Sequence, residues 1–185
     1  MKPLFLLPIL LVICSAQTCS SQNDPQPVSE EYASCCGAQP VEFDYEGKKI
    51  YVPNAFTPNK DGVNDYFGPY INGTVAAVWG FGILSAEGDT LLYQKVYFDG
   101  KSKIEDYGWD GRRPDGSLYK GRFKYKMRVD DKKANKHIVE GEGCAILCGP
   151  DAKIFAGKEG CFFPSQAGQG GNVNKGQANK EKNCF

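Results

Sequence analysis

The sequence has little of what acid–base catalysis and nucleic-acid binding depend on. Its 185 residues include one histidine, His137, and no serine stands in a nucleophile-elbow motif, so no catalytic group assembles from the sequence. Lysine and arginine together number 22, as do aspartate and glutamate, and this zero net charge gives no electrostatic attraction to a nucleic acid. We predict a protein that is not an enzyme, binds no nucleic acid and has no evident small-molecule substrate.

Long apolar runs are also scarce, and the run near the N-terminus is too short to span a bilayer. It covers residues 4–13, follows Lys2 and precedes small and polar residues, which is the pattern of a secretory signal. We expect residues 1–19 to direct export. Three outcomes fit this segment: cleavage after Ala16, lipidation of Cys14, or lipidation of Cys19.

Cysteine, in contrast, is abundant. There are eight cysteines, and lipidation of Cys19 leaves an even set, whereas the other two routes leave an odd one. We therefore favour a lipoprotein anchored to the membrane at Cys19, with a soluble secreted form as the alternative. Structural zinc is a weaker alternative, because the chain has no Cys-x-x-Cys pair. The remaining cysteines are predicted to form three disulfides whose pairing stays open: Cys35, Cys36, Cys144, Cys148, Cys161 and Cys184.

The middle of the chain has the short, regularly spaced apolar segments of an all-β protein. Clusters of Gly, Asn and Asp separate them, and no long stretch has helical periodicity. We predict an antiparallel β-sandwich over residues 41–148. Its predicted strands are Val41–Tyr45, Ile50–Ala55, Val75–Leu84, Thr90–Phe98, Phe123–Val129 and His137–Leu147.

The segments on either side of the sandwich differ from it in composition. Residues 20–40 are rich in Pro, Gln and Ser and are predicted to be a flexible linker. Residues 149–185 are predicted to be an irregular, disulfide-stapled extension, in which the Gly-, Gln- and Asn-rich stretch 166–182 has too little apolar surface to become ordered. Cys184 is expected to tie the end of this extension back to the domain.

One loop concentrates oxygen-bearing groups. Asn59, Asp61, the backbone at Val63 and Asp65 alternate around a glycine, as oxygen ligands alternate in calcium loops. A calcium site here would be weak, because it has only two certain carboxylates, or it would be completed by Asp110 from a Trp-Asp-Gly turn. The alternative is a loop satisfied without metal, because Asx side chains bond their own backbone two residues on.

The same loop begins a longer pattern of motifs. Phe56–Asp65 reads Phe-Thr-Pro-Asn-Lys-Asp-Gly-Val-Asn-Asp, and it is followed by a turn at Gly88, by Trp109–Gly111 and by Gly121–Val129. In this order the motifs resemble the gliding-motility-associated C-terminal domain of Bacteroidota, the type B sorting domain of the type IX secretion system. The resemblance covers roughly residues 51–129. It implies an immunoglobulin-like β-sandwich at the outer membrane or cell surface.

The chain also departs from that family. Lys60 replaces a glycine, Ala86 and Glu87 stand where an Arg-Trp pair is usual, and more than fifty residues follow Val129 although the family's module ends its protein. The resemblance therefore implies a sorting-domain-like accessory that binds the type IX outer-membrane barrel or a large surface adhesin. The alternative is a free-standing, calcium-stabilised adhesion or ligand-binding sandwich.

Overall fold

The computed structural model describes residues 29–37, 40–45, 47–168 and 170–185. The predicted export signal, with Cys14 and Cys19, lies outside them. Short 3-10 turns lie at Glu30–Tyr32, Pro150–Phe155 and Pro164–Gln166. The strands and the single α-helix of the described residues are β1 (Val41–Tyr45), β2 (Lys48–Val52), β3 (Ala55–Phe56), β4 (Tyr70–Ile71), β5 (Val75–Ser85), β6 (Leu91–Phe98), α1 (Ile104–Tyr107), β7 (Gly121–Asp131) and β8 (Lys136–Ala145).

The strands form two sheets that pack together as a β-sandwich. One sheet has the order β1-β2-β4 and the other the order β3-β8-β7-β5-β6. Paired strands are antiparallel except β3 and β8, which are parallel. The predicted fold class is confirmed. The predicted strand Ile50–Ala55 is divided into β2 and β3, because Pro53 has no N–H for a sheet ladder and the chain crosses there to the other sheet.

Alternation along the central strand β7 builds the core. Its inward residues, at alternate positions from Phe123 to Val129, are buried. Phe67 and Trp109 pack edge-on against Phe123, with ring centroids 4.6 Å and 5.0 Å away. Each buried ring removes about 150–250 Å² from water, so this aromatic cluster supplies much of the apolar area of the main core.

A second, smaller core lies where β3 meets β8. Residues 29–37, 146–168 and 170–185 pack there against Ala55 and Cys144, and we call these residues the cap. The predicted linker over residues 20–40 is wrong for residues 29–37: Tyr32 is fully buried, and its hydroxyl accepts the N–H of Leu147 at 2.7 Å. The buried residues of this core are Tyr32, Cys35, Cys36, Ala55, Cys144, Ile146, Ala152, Phe155, Phe163 and Cys184.

Three disulfides fasten the cap. They join Cys35 to Cys144 of β8, Cys36 to Cys161, and Cys148 to Cys184. The prediction of three disulfides among these six cysteines is confirmed, and the structure supplies the pairing that the sequence left open. The last bond ties the end of the chain back to the domain, as expected.

The prediction that residues 166–182 are too polar to become ordered is wrong for the part that the structure describes, residues 166–168 and 170–182. Gln166 is buried, and its side-chain amide donates to the carbonyl of Gln177 at 2.8 Å. The amide of Gln177 donates in turn to the carbonyl of Ser165 at 2.6 Å. Side-chain amides thus bind the backbone of this segment, and the disulfide at Cys184 restrains its end, so ordering does not depend on apolar area alone.

Candidate functional site

The loop of residues 57–65, which follows β3, is the site that the sequence singles out. The N–H of Thr57 donates to the carbonyl of Asn64 at 2.9 Å and closes the loop. Lys60, Gly62 and Asn64 have positive φ angles of 63°, 88° and 56°. A positive φ is uncommon for a side chain such as lysine, so the loop needs other bonds to hold this shape.

The aspartates of the loop supply those bonds. Asp65 accepts the N–H of Lys60 at 2.5 Å on one carboxylate oxygen and the N–H of Gly62 at 2.7 Å on the other. Asp61 accepts the N–H of Val63 at 2.9 Å. Within the described ranges, no group of three or more His, Cys, Asp and Glu side chains is placed to hold a metal ion. The pattern is that of a loop satisfied by Asx turns, and calcium binding stays a prediction.

The C-terminal extension holds the loop from its other side. Glu181 is buried and accepts the hydroxyl of Thr57 at 2.5 Å. Asn183 donates its side-chain amide to Asp61 at 2.9 Å. We call these contacts of Glu181 and Asn183 with the loop the clamp. It brings together residues that are more than 120 positions apart in the sequence.

Asn64 links the loop to the extension at a second place. Its amide nitrogen donates to the carbonyl of Asn179 at 2.9 Å, and its amide oxygen accepts the N–H of Ser165 at 2.9 Å. The hydroxyl of Ser165 also binds the carbonyl of Asn179. Both ends of one buried amide are therefore used, and neither a carboxylate nor a hydrophobic residue would reproduce this pair of bonds.

The clamp also contributes to the low pKa of Asp61. Burial raises the pKa of Asp61, but the N–H of Val63 and the amides of Asn183 and Asn59 outweigh it, so the pKa lies below the usual value for an aspartate. Asn59 donates both to Asp61 at 3.0 Å and to Glu181 at 3.4 Å. One amide therefore bridges two carboxyl groups, one from the loop and one from the extension.

Two adjoining cavities, which we call the loop cleft, open beside the loop. The first has a volume of about 490 Å³, and both Asp65 and Asp110 line it. The structure therefore brings Asp110 to the loop, although its carboxylate is ion-paired with Arg112 at 3.3 Å. The second, of about 340 Å³, lies between the loop, α1 and the extension and is lined by Tyr66 and Lys180, among others.

His137 lies at the opposite end of β8 from the strand's pairing with β3. Its Nε2 is 3.7 Å from Asp131, whose carboxylate pairs with Lys48 of the other sheet at 3.1 Å. Burial raises the pKa of Asp131, but hydrogen bonds from Asn135, Lys48 and a neighbouring backbone N–H outweigh it and hold the pKa well below its usual range. This group connects the two sheets.

The sequence does not predict the clamp. Glu181 lies in the stretch 166–182, which is predicted to stay unordered because it has little apolar surface, and Asn183 lies just beyond that stretch. The available signal was their position beside Cys184, since a cysteine expected to be cross-linked also restrains its neighbours. Ser165, which binds Asn64 outside the clamp, has no signal of its own in the sequence.

Comparisons with known proteins identify no relative of this chain. No family model matches it, no curated protein matches it, and no solved structure matches its fold. The resemblance to the gliding-motility-associated domain therefore stays a prediction from its motifs.

Proposed function

We propose that this chain is a non-catalytic, exported protein that acts as a sorting-domain-like accessory of the type IX secretion and gliding apparatus. Its partner is the outer-membrane barrel of that system or a large surface adhesin. The motif that resembles the sorting domain supports this proposal, because it forms an ordered loop at one edge of a β-sandwich.

The clamp is the observation that favours an accessory over a sorting signal. A sorting domain ends its protein, whereas this chain continues past Ala145, the end of β8, through Glu181 and Asn183, which bind the loop. The Cys148–Cys184 disulfide holds that arrangement in place. A surface already held in shape loses little conformational entropy on binding. Such a module is suited to dock as a folded unit.

The compartment is inferred from the disulfides. Three disulfides indicate an oxidising, exported environment. In the part of the chain that the structure describes, no helix is long and apolar enough to cross a membrane. We assign attachment to a lipid at Cys19. Labelling cells with a fatty-acid analogue should mark the wild type and leave Cys19→Ser unmarked, whereas loss of the label only in Cys14→Ser would overturn this anchor.

The loop cleft is the surface that we assign to the partner. Tyr66 and Tyr70 offer aromatic surface there, and Glu105 and Lys180 offer charges of both signs. Tyrosine is enriched in protein interfaces because it combines a large apolar ring with a polar hydroxyl. The mixture of charges would orient a partner rather than attract any polyanion.

Co-purification from membranes of the native cell tests this function. Three versions are compared: the wild type, Lys180→Glu in the cleft, and Lys182→Glu as a control. Lys182 is also exposed but lines neither cavity of the cleft. The wild type and Lys182→Glu should recover barrel or adhesin subunits, and Lys180→Glu should recover much less. Recovery of the wild type alone, as a monomer in the culture fluid, would contradict the accessory role.

A second candidate function, a calcium-stabilised adhesion sandwich, is favoured by Glu181. It places a further carboxyl group next to Asp61, which the loop sequence alone does not offer. If calcium binds there, a concentration one hundred times its Kd adds about 2.7 kcal/mol to stability. Melting curves with calcium and with chelator should then differ for the wild type and coincide for Glu181→Gln. Identical wild-type curves would remove this candidate.

A further inference from the structure

The three disulfides differ in how far their cysteines are exposed. Cys35 and Cys144 are 2% and 1% exposed, so the bond between them is enclosed in the smaller core. Cys148 is exposed to solvent, whereas its partner Cys184 is only 5% exposed. A thiolate must reach a sulfur atom to break a disulfide, so the Cys148–Cys184 bond is open to attack from the side of Cys148.

The remaining bond, between Cys36 and Cys161, is intermediate in access. Cys36 is 8% exposed and Cys161 is partly buried. Access therefore ranks the three bonds, and we expect a thiol to reduce the Cys148–Cys184 bond first. Exposed disulfides are also the ones whose potentials make them labile or regulatory.

The bond that a thiol reaches first is the one beside the clamp. Cys184 directly follows Asn183, which donates its amide to Asp61 at 2.9 Å. Glu181, which accepts the hydroxyl of Thr57, lies in the same short segment. The disulfide therefore holds both clamp residues next to the loop of residues 57–65.

The other two bonds remain after that reduction. They join residues 29–37 to β8 and to the segment 146–168. The ring of Tyr32 in the first segment also packs against Phe155 in the second, with ring centroids 5.3 Å apart. Loss of the Cys148–Cys184 bond therefore releases the end of the extension, while the rest of the cap stays cross-linked.

We propose that the Cys148–Cys184 disulfide is a redox switch that controls the loop of residues 57–65. The reductant is a dithiol, such as a Cys-x-x-Cys oxidoreductase outside the cytoplasm. One of its thiolates attacks the Sγ of Cys148 and the S–S bond breaks, so Cys184 leaves as a thiolate and takes up a proton. The second thiol of the reductant then displaces Cys148 from the mixed disulfide. The protein gains two electrons and two protons, and the dithiol becomes a disulfide.

Reduction leaves the clamp with non-covalent contacts alone. The loop depends on such support, because Lys60 has a positive φ of 63°, which is uncommon for a lysine. A segment that has lost its cross-link opens locally more often, and each opening frees Thr57 and Asp61 from the extension. The switch acts on the loop itself, so it does not depend on which partner the loop cleft binds.

Graded reduction of the purified protein with dithiothreitol, without denaturant, tests the switch. At each step free thiols are alkylated, and peptide mapping identifies the cysteines that have reacted. Cys148 and Cys184 should be almost fully alkylated while the four cysteines of the other two disulfides stay unlabelled. Hydrogen exchange of residues 57–65 should then be faster, and reoxidation should restore the original rate.

The double variant Cys148→Ser with Cys184→Ser is the matched control, because it lacks the switch and keeps the other two disulfides. The same reductant should leave its loop exchange unchanged. Near-ultraviolet circular dichroism of the reduced wild type should keep the signal of the packed aromatic core. Earlier alkylation of Cys36 or Cys161, or loss of the near-ultraviolet signal, would overturn the proposal. So would wild-type loop exchange that reduction does not change or that reoxidation does not restore, or a double variant that responds to the reductant.

Discussion

The Cys148–Cys184 disulfide should stabilise the whole domain, and its removal tests whether the extension is an integral part of the fold. In the double variant Cys148→Ser with Cys184→Ser, the end of the extension loses its disulfide. The extension then binds the loop only through non-covalent contacts, those of Glu181 and Asn183 in the clamp and those of Asn64. The other two disulfides are unaffected, so the experiment isolates the C-terminal segment.

The magnitude follows from the size of the closed loop. The bond joins residues 36 positions apart, and loop closure of that length corresponds to about 3.8 kcal/mol at 25 °C. The other disulfides shorten the path between the two cysteines, but the entropy varies with the logarithm of loop length, so the figure falls by only roughly 0.2 kcal/mol. For a domain of this size, a loss of that order lowers Tm by about 8–15 °C.

Differential scanning calorimetry without reductant measures Tm, and hydrogen exchange of residues 57–65 measures the loop. We expect a single transition at lower temperature, together with faster exchange of the backbone N–H groups that donate to Asp61 and Asp65. If Tm stays within about 2 °C of the wild type while only the extension exchanges faster, the extension is a separate unit. That result would refute the claim that it supports the loop.

Three further outcomes are expected. The folded-state pKa of Asp131 lies below its unfolded value of about 3.9. The stabilisation from this carboxylate is therefore present above that pH and is lost as pH falls. In Asp131→Asn, the Tm measured by circular dichroism should fall less steeply from neutral to low pH than it does in the wild type. Gly171→Ala should destabilise strongly and Gly170→Ala only mildly in urea titrations, because both have positive φ but only the Cβ at 171 would collide with a β2 carbonyl. Tyr32→Phe leaves the partly buried N–H of Leu147 without its acceptor and should cost about 0.5–1.5 kcal/mol in the same titration; an unchanged midpoint would show that water replaces the hydroxyl.

The sandwich could be predicted because its strands carry local signals. β1 coincides with its predicted range, and the ranges predicted for β5, β6, β7 and β8 differ from the observed ones by no more than two residues at either end. These signals are alternating apolar residues and clusters of turn-forming residues, and each depends only on residues within about ten positions of each other. The error at Pro53 also concerns a local signal. Proline has no backbone N–H for a sheet ladder, so its place in the sequence already predicts that a strand ends there.

The cap could not be predicted in the same way, because its order depends on contacts between distant segments. The buried ring of Tyr32, for example, packs edge-on against Phe155, with ring centroids 5.3 Å apart and 123 positions between them in the sequence. The polar composition around Gln166 and Gln177 predicts solvated side chains, yet the side-chain amide of each donates to a specific backbone carbonyl. A count of apolar residues misses such bonds, and six cysteines allow fifteen pairings.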